Sequence, residues 1–238
     1  LILNHKPDIA HIHLMWGQIS PSIFPVLKKY KIPIAFTVHD YRIVCPAYAF
    51  RNGQGEICEK CQGKDFYKCF TNKCTKGSYF LSSIMAAEQY FRNAFFNPSK
   101  YIDGLIYVSD FARSLHAKYM PTLNNKPNIV LHNFARQPED NYKREEPDKK
   151  YYLFFGRLSS EKGLKTLIEA FKFKNDLELK IVGEGSMREE LELIIKGYQN
   201  IQLLGYKSGN ELNSLINEAL FTIIPSEWYE NNPMSIIE

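Results

Sequence analysis

Short apolar segments alternate with segments of helical periodicity along almost the whole of this chain. Several apolar segments have no polar face, as expected for parallel strands that are covered by helices on both sides. We predict eight strands, at residues 9–13, 32–39, 104–108, 128–131, 151–155, 177–182, 201–203 and 221–224. This alternation of strand and helix favours an α/β architecture of doubly wound type, built on parallel sheets.

One strongly polar segment, ARQPEDNYKREEPDKK at residues 135–150, interrupts the alternation. It contains two prolines and many charges of both signs, and it has no apolar face to bury. We therefore predict an N-terminal domain at residues 1–138, a linker at 139–150 and a C-terminal domain at 151–238. The cysteine-rich stretch at residues 45–74 is predicted to form an excursion from the first domain.

The composition excludes some classes of function. A formal net charge of +4 over 238 residues is too weak to indicate nucleic-acid binding, although it is compatible with phosphorylated ligands. The sequence contains neither an apolar run that could span a bilayer nor a secretory signal pattern. We expect a cytoplasmic protein. Because the chain lacks an initial Met and stops within a helical pattern, we also expect a piece of a longer protein.

A long helix is predicted at residues 77–96, and it is apolar around much of its circumference. Packing in the core is the expectation for such a helix. Peripheral contact with the inner face of a membrane is the open alternative.

The residues that follow the strands carry the candidate chemistry, because open parallel sheets bind ligands beyond the carboxyl ends of their strands. After the strand at 151–155 comes GRLSSEKG, in which Gly156 permits a tight turn. Arg157 and Lys162 then lie beside the start of a helix, a combination that suits phosphate. The alternative is a pair of solvated charges on an ordinary loop.

Two further strand ends offer ligand contacts. GEGSMREEL follows the strand at 177–182, where Gly183 either admits a ligand to the backbone or makes a tight turn. EWYENNPMSIIE follows the last strand, and Asn232 is a candidate N-cap of a helix whose start could bind an anion. Glu230 and Glu238 flank that site, and carboxylates of this kind suit the hydroxyl groups of a sugar or ribose.

Histidines supply polar groups in the first half of the chain. His13 and His39 each end a predicted strand, and His39 is followed by Asp40. A lone histidine is most often structural, but two at equivalent strand ends favour a functional role for His39. His11 lies deeper on the strand face of His13 and is expected to be structural.

The segments GRLSSEKG, LKIVGEGSMREEL and IIPSEWYENNPMSIIE, in that order, resemble the nucleotide-sugar-binding half of retaining glycosyltransferases of family 4, which have the GT-B fold. TVHDY, VSDFAR and LHNFA resemble the acceptor-side half of the same family. The resemblance implies two Rossmann-like domains that face each other across a cleft. It also implies transfer of a sugar from a nucleotide-diphosphate donor to a glycan or lipid-linked acceptor, in polysaccharide synthesis, with no catalytic metal or other cofactor.

The resemblance also assigns roles to residues. Arg157 and Lys162 would hold the donor diphosphate, Glu230 the hydroxyls of the donor sugar and Glu238 the ribose, while His39 would contact the sugar at the reacting centre. Gly156, Gly183 and Asn232 would complete the donor site. Two parts of the family pattern, a glycine-rich loop after the first strand and the helices after the second glutamate, are absent from this sequence. We therefore expect this chain by itself to bind donor weakly.

Two other functions remain open for this sequence. A nucleotide-sugar epimerase of the same architecture would bind similar donors and would need no acceptor. A catalytically silent nucleotide-sugar-binding protein would bind without turnover, but it has no need of all four residues Arg157, Lys162, Glu230 and Glu238.

All five cysteines fall within thirty residues, at 45, 58, 61, 69 and 74. The spacing of Cys58, Cys61, Cys69 and Cys74 suits a structural zinc site with four thiolates. Disulfides and free thiols are the alternatives, and Cys45 is either a spare or a replacement ligand.

Overall fold

The computed structural model describes residue 5 and residues 7–14, 19–135 and 151–237. The chain divides into two compact units. Unit 1 contains Leu1–Asn133 and Tyr229–Asn232, and unit 2 contains Phe134–Trp228 and Pro233–Glu238. The predicted linker at 139–150 lies outside the described residues.

Unit 1 is built on a parallel sheet whose strand order is β1-β2-β3-β4. The strands are β1 Ala10–Ile12, β2 Ile34–Val38, β3 Gly104–Tyr107 and β4 Asn128–Val130, and the helices are α1 Ile23–Lys29, α2 Tyr67–Thr71, α3 Tyr79–Phe95, α4 Pro98–Tyr101 and α5 Asp110–Tyr119. The sheet carries the core, with Ile34 and Leu105 at most 2% exposed. Asp103 fixes the start of β2, because its carboxylate accepts hydrogen bonds from the Ile34 N–H at 2.8 Å and from Lys28 Nζ at 2.6 Å.

The excursion between β2 and α3 is compact and has little regular structure. It contains one antiparallel bridge between Arg51 and Ile57, a 3₁₀ turn at Gln62–Lys64, and α2. This agrees with the weak periodicity of residues 45–74, which predicted an irregular segment.

Helix α3 is buried on its polar face, so the expectation that its apolar residues pack in the core was wrong. Gln89 and Arg92 are at most 1% exposed, whereas Phe80 and Phe95 are 72% and 60% exposed. The buried polar groups are bonded: Gln89 Nε2 donates to Ile43 O at 2.9 Å, and Arg92 donates to Arg42 O at 2.9 Å. Among the described residues, no helix has the length and apolar character needed to cross a bilayer.

Unit 2 is built on a second parallel sheet, with strand order β7-β6-β5-β8. Its strands are β5 Tyr151–Phe155, β6 Glu178–Val182, β7 Ile201–Gly205 and β8 Phe221–Thr222, and its helices are α6 Leu164–Phe171, α7 Arg188–Ile194, α8 Gly209–Glu218 and α9 Met234–Ile237. Strand β8 lies at one edge of the described sheet and is shorter than predicted. Phe221 is 63% exposed there, although its sequence surroundings suggested a buried strand.

Candidate functional site

A cavity of about 990 Å³ opens in unit 2 beyond the carboxyl ends of β5, β6 and β7. The loops after these strands and one face of α8 supply most of its wall. Three of the residues predicted from the sequence, Gly156, Arg157 and Gly183, line it together. This is the position at which parallel α/β sheets bind ligands.

Backbone hydrogen bonds join the loops after β5 and β6. The Gly156 N–H donates to Val182 O at 3.0 Å, and the Leu158 N–H donates to Glu184 O at 2.9 Å. A Cβ on Gly183 would lie 1.9 Å from Gly156 O, and the φ angle of Gly183 is 139°. Glycine is therefore required here by the close approach of the two loops, and Gly183 also lines the cavity.

Arg157 presents its guanidinium at the wall of this cavity. The side chain is 62% exposed, and it donates to Glu161 Oε1 at 3.1 Å. The Ser159 hydroxyl also donates to Glu161 Oε1, at 2.6 Å. This carboxylate therefore orients the guanidinium but leaves much of it open to an anionic ligand.

Lys162 is not among the residues that line the cavity. It ends the 3₁₀ turn Ser160–Lys162, and its ammonium group stands 5.5 Å from the centroid of the Trp228 ring. The structure therefore does not bring Lys162 and Arg157 together at the cavity wall.

The start of α8 is a part of this site that the sequence reasoning missed. Lys207, Ser208 and Gly209 line the cavity, and Ser208 is the residue before the first turn of this ten-residue helix. The free N–H groups and the dipole of a helix start favour an anion, and Lys207 adds a positive charge. The same strand-end rule applied to GYKSGN, directly after β7, would have found them.

The remaining wall of the cavity suits a flat organic group. Tyr206 is 71% exposed beside it, and α8 contributes Leu212, Asn213, Ile216 and Asn217. An aromatic ring and two aliphatic side chains can cover the face of a nucleobase, and amide groups can bond its edge.

Glu230 and Asn232 belong to the segment Tyr229–Asn232, which is part of unit 1. The Tyr41 hydroxyl donates to Glu230 O at 3.1 Å, and Asn232 Nδ2 donates to Val108 O at 2.9 Å. Helix α9 begins at Met234, two residues after Asn232. Neither Glu230 nor Asn232 lines the unit 2 cavity, and Glu238 lies outside the described residues.

His39 lies directly after β2, where its Nε2 is 2.9 Å from Nδ1 of His13. Partial burial lowers the pKa of His39, the neighbouring His13 lowers it further, and Asp40 acts in the opposite direction. His39 is therefore a neutral polar group at neutral pH. His11 is exposed, and its Nε2 is 2.8 Å from the hydroxyl of the buried Thr37.

The five cysteines line one small cavity in the excursion of unit 1, and all five are free thiols. Burial raises the pKa of Cys45 to about 11 and that of Cys61 to about 12. Within the described part of the chain, no group of three or more His, Cys, Asp or Glu side chains is placed so that it could hold a metal ion. The predicted zinc ligands Cys58, Cys61, Cys69 and Cys74 are thus gathered in one place as thiols.

The C-terminal part of the chain, residues 136–238, matches the family model described as "Glycosyl transferases group 1". A region of 141 residues, 52% of this chain, is 27% identical to the uncharacterized glycosyltransferase MJ1178 of Methanocaldococcus jannaschii. The matched region covers 40% of that relative, so the chain spans less than half of its length.

Solved structures share the fold. Sucrose-phosphate synthase of Thermosynechococcus elongatus superposes on 98% of this chain with a TM-score of 0.60 at 12% identity, over 54% of its own length. The pneumococcal O-GlcNAc transferase GtfA, solved with UDP and GlcNAc, superposes on 95% of this chain with a TM-score of 0.58 at 16% identity, over 39% of its own length. The α/β class with parallel sheets is confirmed, and these neighbours are glycosyltransferases of the GT-B type.

Proposed function

We propose that the protein is a glycosyltransferase that moves a sugar from a nucleotide-diphosphate donor to a glycan or lipid-linked acceptor. The observation that carries this proposal is the unit 2 cavity, in which a cationic side chain, a helix start and an organic-binding wall meet. The match of residues 136–238 to the family model supports it, because this stretch includes nearly all of the cavity lining.

The donor would lie across the cavity in a defined direction. Its diphosphate contacts Arg157, the loop at Gly156 and Gly183, and the start of α8 with Lys207. Its base lies against Tyr206 and the side chains of α8. The family resemblance also implies roles for Lys162 and Glu230 in donor binding, although neither residue lines this cavity.

The chemical role of these residues is to stabilise the negative charge of the leaving diphosphate. As the bond between the anomeric carbon and the phosphate oxygen breaks, negative charge grows on the diphosphate, and fixed positive groups lower the barrier most when they act there. Arg157 is suited to this because a guanidinium cannot lose its proton at neutral pH and can bond two oxygens at once. His39, neutral at that pH, would bond a hydroxyl of the sugar.

Retention at the anomeric carbon and the acceptor class rest on the family resemblance. In this proposal the leaving phosphate takes the acceptor proton, so that the protein supplies no separate base. The anomeric configuration of the product, read by NMR, tests retention directly.

The first experiment is a donor screen with the full chain. UDP-, GDP- and ADP-sugars are titrated by calorimetry against the wild type and Arg157→Ala. We expect one nucleotide-sugar to bind, and the substitution to weaken it about 10- to 100-fold because charge-assisted hydrogen bonds are lost.

Arg113→Ala is the matched control for this screen. Arg113 is also an exposed arginine paired with a carboxylate one helical turn away, Asp110 at 2.7 Å, but it lies in unit 1. Its removal should leave donor affinity unchanged. Equal affinity of Arg157→Ala and the wild type for the donor that binds would reject the proposed cavity. Epimerisation of the donor sugar without an acceptor would instead identify an epimerase.

A further inference from the structure

Helix α3 carries a continuous apolar stripe on the side that faces away from the core of unit 1. Its members repeat at helical spacing, so they fall within about 80° of one another around the helix axis. The apolar stripe consists of Phe80, Ile84, Ala87, Phe91 and Phe95. Ala87 is exposed, and the other four side chains are at least 47% exposed. Large apolar groups therefore meet solvent along about 22 Å of helix.

Hydrogen bonds hold the polar side of α3 inward. Gln89 and Arg92 donate to backbone carbonyls of unit 1, and the hydroxyl of the buried Ser82 accepts from the Thr75 N–H at 2.9 Å. A rotation of the helix that buried the apolar stripe would break all of these bonds and leave buried carbonyls without donors, which is costly. The outward position of the apolar stripe is therefore a stable feature of the surface.

The positive charge of the chain is concentrated around α3. Residues 60–100 carry a formal net charge of +5, while the whole chain carries +4. The two acids of this segment, Asp65 and Glu88, pair with Lys68 and Arg92 at 2.8 and 2.9 Å. The lysines in excess over these pairs are Lys60, Lys64, Lys73, Lys76 and Lys100.

A lysine and a tyrosine lie together at each end of the apolar stripe. At the first end, the Lys73 ammonium group is 4.4 Å from the centroid of the Tyr79 ring. At the other end, the Tyr101 hydroxyl donates to Phe95 O at 3.4 Å, and the Lys100 ammonium group is 5.4 Å from the centroid of the Tyr101 ring. Tyrosine and lysine side chains both favour the headgroup layer of a lipid bilayer, because each joins an apolar body to a polar end.

We propose that the apolar stripe of α3 docks on the surface of a bilayer that contains anionic lipids. The phenylalanine rings enter the boundary between headgroups and acyl chains, and the surrounding lysines attract the anionic headgroups. Because the opposite side of α3 is bonded to unit 1, the helix lies along the bilayer surface.

A second copy of this chain suits the apolar stripe less well. A two-fold interface sets the same patch of each copy against itself, so two segments of net charge +5 would meet and repel each other. An anionic lipid surface neutralises the same charges. The charge of residues 60–100 therefore favours lipid over a symmetric dimer.

The test measures binding of the full chain to lipid vesicles by flotation. Vesicles of phosphatidylcholine alone are compared with vesicles that also contain about 30% phosphatidylglycerol, at low and at raised salt concentration. We expect binding to the anionic vesicles that weakens as salt screens the lysines. Phe80→Ser/Phe91→Ser should weaken this binding at least about 10-fold, and Lys73→Gln/Lys76→Gln should reduce both the affinity and its dependence on salt.

Unit 2 supplies matched control variants. Phe173→Ser/Leu193→Ser removes two apolar side chains that are 83% and 74% exposed, and Lys174→Gln/Lys196→Gln removes two exposed lysines. Both controls should bind vesicles as the wild type does. Circular dichroism checks that every variant is folded, which we expect because the changed side chains lie at the surface.

Absence of wild-type binding to the anionic vesicles would overturn the proposal, as would equal binding by the wild type and Phe80→Ser/Phe91→Ser. A wild-type dimer that dissociates on this double substitution, without binding to vesicles, would assign the apolar stripe to a second copy of the chain and would also overturn the proposal. The proposal depends on unit 1 alone, and its measurements are independent of donor binding. Its failure and the failure of the proposed function are therefore distinguishable.

Discussion

Close packing fixes two single residues of this protein. At Gly183 two loops approach so closely that a Cβ would lie 1.9 Å from Gly156 O. The side chain of His116 is fully buried between the rings of Tyr41 and Tyr107.

The burial of His116 makes the stability of unit 1 sensitive to acid. Burial lowers the pKa of His116 to about 4 from 6.5, so the unfolded chain binds a proton more readily than the folded one between these values. Stability rises with pH wherever the unfolded state binds more protons, so it should fall as the pH drops from about 6.5 to about 4. The shift corresponds to a loss of about 3 kcal/mol.

The measurement is urea unfolding at a series of pH values, with His116→Phe as the comparison. Phenylalanine keeps the ring between the two tyrosines and removes the titrating group, so the variant should lose less stability than the wild type over this range. Parallel stability curves for the two proteins would show that His116 does not cause the acid sensitivity.

At the scale of elements, the sequence predicted all eight strands, and residues 151–155 were predicted with the observed bounds of β5. Hydrophobic runs allow strands of this kind to be predicted, because both faces of a parallel sheet are buried. The short helices α2 and α4 were missed, because four or five residues are too few to show a helical period.

Helix α3 was predicted in the right place but with the wrong face inward. The buried Gln89 and Arg92 donate hydrogen bonds to the carbonyl groups of Ile43 and Arg42, and no local pattern of the sequence predicts these contacts.

Because the polar face of α3 is the buried one, we expect loss of a charged side chain to lower the stability more than loss of the aromatic side chain next to it. Arg92→Ala removes a guanidinium that is 1% exposed and bonded to Glu88 and Arg42 O, so it should lower the free energy of unfolding by about 3 kcal/mol. Phe91→Ala removes a ring that is 55% exposed and packs at a tilt against the rings of Phe95 and Phe96, and it should lower the free energy of unfolding by about 0.5 kcal/mol.

Chemical denaturation of the two variants side by side decides this point. Each is the other's control, since both change the same helix by truncation to alanine at adjacent positions. A larger loss for Phe91→Ala than for Arg92→Ala would mean that the apolar face of α3 is the buried one.

At the scale of the molecule, the predicted order of domains misses one feature of how the chain runs. The prediction assigned every residue after 150 to the second domain, but unit 1 includes Tyr229–Asn232. Three residues of the cavity wall were predictable from the strand-end rule, because each directly follows a strand that the sequence predicts. They are Gly156, Arg157 and Gly183. The placement of Glu230 was not predictable, because its carbonyl accepts from Tyr41 and its neighbours Asn231 and Asn232 bond to Val38 and Val108, all more than a hundred residues earlier.

The return of this segment to unit 1 can be tested at Asn231. Its Nδ2 donates to Val38 O at 3.1 Å, and its Oδ1 accepts from the Ser109 hydroxyl at 3.1 Å. Asn231→Ala removes both bonds, so amide hydrogen exchange should speed up at the carboxyl ends of β2 and β3, with a loss of about 1–2 kcal/mol in local stability. Exchange in β5, β6 and β7 should stay at the wild-type rate.

Asn210→Ala serves as the control for this experiment, because Asn210 is an exposed residue of α8 in unit 2. It should leave exchange in β2 and β3 unchanged. If Asn231→Ala also leaves those strands unchanged, the segment before α9 is not anchored in unit 1. If exchange does rise there, the segment that contains Glu230 is held by hydrogen bonds within unit 1.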